Sequence, residues 1–71
     1  MARLEELKQI IEDSGMTMIS ISKKSGIERA TLYNRLKGQG DFTASEIVGL
    51  SDALRMTNKQ RDHIFLDKEL N

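Results

Sequence analysis

The basic side chains of this sequence are concentrated in its middle third. Residues 16–40 carry five lysines and arginines against one acidic residue, Glu28, whereas residues 1–15 and 41–71 each have a net charge of −2. Clustered cations of this kind neutralise phosphates or pair with the carboxylates of a partner. The whole chain has a net charge of 0, so the distribution of charge, not its total, indicates a binding surface. The basic residues are Lys23, Lys24, Arg29, Arg35 and Lys37.

Side chains suited to catalysis or metal binding are few. The sequence has no Cys and one His, which excludes disulfides, thiolate zinc sites and imidazole clusters. His63 has no nucleophile in a recognisable pattern with it, so we assign it no chemistry. Asp62, Asp67 and Glu69 lack the Asp-rich loop and the Gly of a calcium site and are better interpreted as a solvated helix face. We predict no enzyme activity, no metal and no cofactor.

The length and composition predict one small domain over residues 1–71. The chain has 71 residues, of which 38% are hydrophobic, enough for a single core. No stretch approaches the roughly 20 apolar residues of a membrane span, and the first residues lack a signal-peptide h-region. We therefore expect a cytoplasmic protein with no membrane contact.

The spacing of apolar residues predicts five helices and no strands. Threonines begin the second, fourth and fifth helices, and the last two of these threonines are the first residues of capping boxes. Glycines end the first three helices. The predicted threonine caps are Thr17, Thr43 and Thr57, and the predicted glycine stops are Gly15, Gly26 and Gly38.

These helices are expected to enclose one core. The first is predicted over about residues 2–13, the second begins near Met18, and the third covers residues 29–37. The apolar positions that recur at helical spacing form the predicted core: Leu4, Leu7, Ile11, Ile21, Leu32, Leu36, Ile47, Leu50, Leu54 and Phe65.

The second and third predicted helices form a helix, tight turn, helix unit. The segment Met16–Gly38 resembles the helix-turn-helix of the Cro and lambda-repressor family, and the resemblance covers nearly the whole chain. It implies an all-α, five-helix, lambda-repressor-like DNA-binding domain with the helix-turn-helix in helices 2 and 3. The matching positions are the small residue Ser22, the turn Gly26–Ile27, the core residues Ile21 and Leu32, and the closing pair Lys37–Gly38.

The resemblance implies that the first residues of the third helix enter the major groove of DNA. Arg29 can donate two hydrogen bonds to guanine, Asn34 can form hydrogen bonds with adenine, and Ala30 can contact a thymine methyl group. Tyr33 either contacts the bases as well or anchors the helix with its hydroxyl in water. Arg29 and Lys37 either contact DNA or are solvated charges on the surface. Contacts to phosphate or to a protein partner are expected from Thr17, Met18, Lys23, Thr31 and Lys37.

Two residues depart from the pattern of the family. The family usually has Ser or Thr where Glu28 stands, and a carboxylate at the start of the recognition helix repels phosphates unless it accepts from a cytosine amino group. The family usually has an apolar residue where Arg35 stands, and Leu36 is expected to take over its packing.

Two functions are compatible with this sequence. The first is an autonomous Cro-like repressor that binds operator DNA as a homodimer. Ile64, Phe65 and Leu66 are adjacent in the fifth helix and either present an apolar surface to the second subunit or complete the core.

The second function is that of a protein-binding modulator. The chain is similar to the small modulator of repression proteins of temperate phages of Gram-positive bacteria, which implies action with a phage repressor as an antirepressor in a lysis-lysogeny switch. Operator DNA is then contacted only within a protein complex. Zero net charge and Glu28 favour this function slightly, because a surface of mixed sign complements charges of both signs on a protein.

Overall fold

The computed structural model describes residues 1–70 and contains five α-helices, then a π-helical turn and a 3-10 turn. No strand occurs within residues 1–70, so the predicted all-α, five-helix fold is confirmed. None of the described helices has the length and apolarity of a membrane-spanning segment. The helices are α1 (Leu4–Ser14), α2 (Met18–Ser25), α3 (Arg29–Leu36), α4 (Ala44–Ala53) and α5 (Asn58–Arg61), the π-helical turn is Asp62–Leu66, and the 3-10 turn is Lys68–Leu70.

The predicted threonine caps are confirmed. The side-chain oxygen of Thr43 accepts a hydrogen bond from the backbone N–H of Glu46 at 3.2 Å, and the Glu46 carboxylate accepts from the backbone N–H of Thr43 at 2.9 Å. The same reciprocal geometry begins α5 at Thr57, and Thr17 caps α2 with one bond. Each cap supplies a partner to helix N–H groups that have none within the helix.

The first helix begins two residues later than predicted, at Leu4. The backbone N–H of Arg3 donates to the carbonyl oxygen of Ile64 at 2.9 Å, and its guanidinium donates to the carbonyl oxygen of His63 at 3.0 Å and to the Asp67 carboxylate at 2.9 Å. The exposed His63 ring lies 3.1 Å from the Glu6 carboxylate. Arg3 therefore fastens the C-terminal turns to α1 instead of extending the helix.

The core contains five side chains that are fully buried: Leu7, Ile21, Leu32, Leu50 and Ile64. Of the predicted core, Leu36 and Leu54 are also buried, at 8% exposure each. The remaining four predicted core residues are only half-buried. Ile27 is buried although it was not part of the predicted core, and Ile64 is buried, which was one of the two alternatives left open for it. The half-buried residues are Leu4, Ile11, Ile47 and Phe65.

The fifth predicted helix is the least accurate part of the prediction. Regular α-helix ends at Arg61, and the π-helical turn that follows places Ile64 inside and leaves Leu66 57% exposed. Phe65 is half-buried and packs edge-on against Phe42, with ring centroids 5.2 Å apart. Three adjacent apolar residues do not specify which one faces inward, because that depends on the local helical repeat.

Helices α2 and α4 pack closely at Gly49. A Cβ atom built on Gly49 would collide with the carbonyl oxygen of Ser25 and lie 3.1 Å from its carbonyl carbon. The backbones of the two helices therefore approach each other where a side chain has no room. This contact sets the position of α2, the first helix of the helix-turn-helix.

Candidate nucleic-acid interface

Two serine side chains and one isoleucine fasten the turn between α2 and α3. The Ser22 hydroxyl donates to the carbonyl oxygen of Ile27, and the Ser25 hydroxyl accepts from the backbone N–H of Ile27 at 3.2 Å. Gly26 has φ +75°, where a residue without Cβ avoids steric strain. Ile27 is 4% exposed and anchors the turn in the core. The sequence indicated only that position 22 is small, whereas its hydrogen bond helps to hold α3 at its angle to α2.

The predicted contact residues of α3 lie on its solvent-exposed side. We call Glu28, Arg29, Ala30, Tyr33 and Asn34 the recognition surface, and all five are exposed. The opposite side of α3 carries the buried leucines of the core, as the helical spacing predicted. The Tyr33 side chain is 46% exposed, and its hydroxyl takes part in none of the hydrogen bonds found among the described residues. This geometry is compatible both with contact to a ligand and with a ring that anchors the helix with its hydroxyl in water.

The amino terminus of α3 has no side-chain cap. Glu28 occupies the cap position with φ −57° and ψ 139°, but its carboxylate accepts no hydrogen bond from the helix. The backbone N–H groups of the first turn, which have no partner within the helix, therefore also lack the partner that a cap side chain supplies. An N-terminus of this kind attracts an anion such as a phosphate, whereas the neighbouring Glu28 carboxylate repels it.

The predicted phosphate or partner contacts differ in accessibility. Thr17, Lys23 and Lys37 are exposed, and the ion pairs of the described residues involve neither lysine. Thr31 is half-buried, and Met18 is half-buried and packs against the core. The two lysines therefore retain their full capacity to bind a phosphate, while Met18 offers only part of its side chain to a partner.

Arg35 is a structural cation that the sequence analysis did not recognise. Its Nε atom lies 3.2 Å from the Glu46 carboxylate, and the two side chains are 22% and 17% exposed. A second guanidinium N–H donates to the carbonyl oxygen of Gln39 at 3.4 Å. Arg35 thus ties α3 to the loop that follows it and to the first turn of α4, at a position where the family usually has an apolar residue.

The ion pair of Arg35 also reduces the charge available to a ligand. Four of the five basic residues of the middle third remain exposed, namely Lys23, Lys24, Arg29 and Lys37. Glu28 is exposed with them, so the accessible surface is less basic than the sequence alone suggests. An acidic capping-box residue at position 46 was the signal in the sequence that such a partner for Arg35 existed.

The Arg35–Glu46 pair should make stability depend on pH. Burial raises the pKa of Glu46, but the backbone N–H of Thr43 and the Arg35 guanidinium outweigh it and hold this pKa below its ordinary value of 4.5. A carboxyl with a lowered pKa in the folded state stabilises the fold above its unfolded pKa. That contribution is lost as the pH falls through the folded value.

We expect Glu46→Gln to lower the free energy of unfolding by about 1 kcal/mol at neutral pH. Glutamine also serves in a capping box, so the substitution removes the charge and keeps the cap. Urea denaturation at neutral pH and at about pH 3 should show the difference from the wild type shrinking in acid. Glu12→Gln, at an exposed position of α1, is the control. An equal difference at both pH values would contradict a charge-based contribution.

The comparison with protein families agrees with this geometry. A family model described as Cro/C1-type HTH DNA-binding domain matches residues 6–59, which run from α1 to the first residues of α5 and include the whole recognition surface. No curated protein and no solved structure matches the chain. A domain of this type suggests a transcriptional regulator that contacts DNA through its helix-turn-helix. The chain belongs to the family of Cro/C1-type helix-turn-helix DNA-binding domains.

Proposed function

We propose that this protein regulates a phage-type lysis-lysogeny switch and acts in a complex with a repressor protein, as an antirepressor or modulator of repression. The family supports DNA binding and transcriptional regulation. The finer proposal depends on one observation, the exposed and non-capping Glu28 at the start of the recognition helix. A carboxylate there opposes phosphate binding and is suited to a cation on a protein partner.

The charge of the exposed surface supports the same proposal. With at most four exposed cations in the middle third, few phosphates are neutralised, and DNA affinity at physiological salt scales with that number. Residues 1–15 and residues 41–71, which lie on either side of the basic middle third, each have a net charge of −2 and add no long-range attraction to DNA. A repressor surface with charges of both signs complements Glu28 and Arg29 together.

The second candidate function is an autonomous, dimeric Cro-like repressor. The exposed Arg29, Ala30 and Asn34 favour it, because this set of side chains suits direct contacts with guanine, thymine and adenine in the major groove. Lys23 and Lys37 supply exposed cations for phosphates.

Binding assays with the purified protein distinguish the two functions. The protein is titrated onto DNA from the regulatory region that adjoins its coding sequence, alone and with the repressor encoded there, at two salt concentrations. We expect weak binding alone, a salt slope of magnitude below about 4 for four cations, and a stable complex with the repressor. Tight, sequence-specific DNA binding without a repressor complex would favour the second function.

Replacing Glu28 by serine should change both the stability and the binding of the protein. Serine can cap α3, which is expected to raise the free energy of unfolding by about 0.5–2 kcal/mol. If Glu28 only repels phosphates, DNA affinity rises severalfold. If Glu28 pairs with a cation of the repressor, the protein complex weakens. Calorimetry of both interactions measures these changes, with Glu12→Ser as the control for loss of one exposed acid, and unchanged affinity for both ligands would remove Glu28 from the contact surface.

A further inference from the structure

A cavity of about 350 Å³ lies where the end of α1, the helix α2 and the end of α4 meet. The described residues that line it include none from α3. It adjoins the C-terminal end of α4, whereas Arg35 ties α3 to the N-terminal end of that helix. Cavities of roughly 300–1,000 Å³ have the size that small organic molecules occupy. We call it the α4-end cavity, and its lining residues are Ser14, Met16, Lys24, Ala53, Leu54 and Arg55.

The described residues that line the α4-end cavity include two cations and no carboxylate. Lys24 and Arg55 are both exposed, and neither takes part in the ion pairs found within residues 1–70. Two like charges that share a cavity repel each other, and an anion between them removes that repulsion. The Ser14 hydroxyl already donates to the carbonyl oxygen of Ile11 at 2.6 Å, so an anion in the cavity is bound by the two cations.

The backbone conformation of Arg55 is a second, independent observation. Helix α4 ends in a Schellman motif, in which the backbone N–H of Met56 donates to the carbonyl oxygen of Ser51 at 2.9 Å. The motif places Arg55 at φ +54°, and within residues 1–70 no other residue except glycines has a positive φ. Glycine is usual at this position because a Cβ atom is disfavoured there. Backbone strain of this kind is concentrated at functional sites, and here the strained residue supplies one of the two cations.

Attraction to helix dipoles does not by itself explain this arrangement. Lys24 lies in the last turn of α2 and Arg55 follows the end of α4, where cations are favourable. That interaction requires neither that the two side chains line one cavity nor that one of them has a left-handed backbone. The shared cavity is therefore better explained by a ligand than by stability.

We propose that the α4-end cavity binds a small organic anion, a phosphate monoester or a carboxylate with an apolar body. Lys24 and Arg55 bind the oxygen atoms of the anion, and a guanidinium can donate two parallel hydrogen bonds to them. Met16, Ala53 and Leu54 supply apolar walls for the rest of the molecule. The bound anion links α2 to α4. This binding needs neither DNA nor a repressor, so the proposal does not rest on the proposed function.

Titration of the full chain with phenyl phosphate, followed by ¹H–¹⁵N NMR, tests the proposal. We expect a dissociation constant of about 1 mM, with chemical-shift changes at residues 14–16, 24 and 53–56. Inorganic phosphate should bind about fivefold more weakly because it lacks the apolar ring, and phenol, which lacks the charge, should not bind measurably. Absence of phenyl phosphate binding at millimolar concentration, equal affinity for inorganic phosphate, or shift changes confined to α3 would overturn the proposal.

Substitutions assign the binding to the two cations. Arg55→Gly and Lys24→Gln should each raise the dissociation constant for phenyl phosphate about tenfold. Arg55→Gly should melt at or above the temperature of the wild type, because glycine suits a left-handed residue better than arginine does. Lys59→Gln, at an exposed cation of α5 outside the cavity, is the matched control and should bind as the wild type does. Wild-type affinity in either cavity variant would contradict a site made by both cations.

Discussion

Gly49→Ala is expected to lower the free energy of unfolding by about 2 kcal/mol or more, a large share of the stability of a small domain. The new Cβ atom would collide with the Ser25 carbonyl oxygen, which belongs to the backbone of α2 and has no rotamer to adopt. Relief of the collision requires α2 and α4 to separate, and that movement loosens the packing of the fully buried Ile21 and Leu50.

The sign of this effect is informative. In an exposed helix, glycine to alanine stabilises by roughly 1 kcal/mol through helix propensity, so the packing contact predicts a loss where propensity alone predicts a gain. Thermal and urea denaturation measure the change. Val48→Ala, at the neighbouring exposed position of α4, is the control and should alter stability by no more than about 0.5 kcal/mol. A stabilised Gly49→Ala variant would show that the two backbones are not in contact.

Gly49 also illustrates which parts of the fold the sequence could predict. The threonine caps at Thr17, Thr43 and Thr57 were predicted correctly because a cap is decided within four consecutive residues. The helix-turn-helix was predicted because the segment Met16–Gly38 resembles that of the Cro and lambda-repressor family. The contact of Gly49 with Ser25 depends on how α2 and α4 cross, and the two residues lie 24 positions apart in the sequence. No local pattern of residues predicts such a contact.

In the candidate site too, local spacing predicted some residues correctly, whereas others depend on contacts between distant parts of the chain. The exposed side of α3 follows from the 3.6-residue repeat, so Arg29, Tyr33 and Asn34 were placed on one surface by spacing alone. The orientation of Arg35 does not follow from spacing, because its position is decided by Glu46 eleven residues later. The π-helical turn at residues 62–66 was missed because three adjacent apolar residues do not specify the local helical repeat. The hydrogen bonds that Arg3 donates to the carbonyl oxygens of His63 and Ile64 join segments about 60 residues apart, which local patterns do not reveal.

The double variant Arg29→Ala/Tyr33→Ala should lose binding while keeping its fold. Both side chains are exposed and lie one helical turn apart on α3, so their removal opens no cavity and should change stability by no more than about 0.5 kcal/mol. Each supplies a large contact surface, a guanidinium fork or an aromatic ring, of the kinds that carry most of the binding energy at interfaces. A base contact contributes about 1–3 kcal/mol, and we expect the pair to contribute about 2–4 kcal/mol, a loss of roughly 30-fold to 900-fold in affinity.

This prediction applies to either ligand, because both proposed functions use the recognition surface. The loss should appear in the affinity for operator DNA if the protein acts alone, and in the affinity for the repressor if it acts in a complex. Lys59→Ala, which removes one exposed cation from α5, is the matched control and should bind as the wild type does. Circular dichroism confirms that the double variant is folded before its affinities are compared. A folded double variant with wild-type affinity for both DNA and repressor would show that function resides on another surface of the domain.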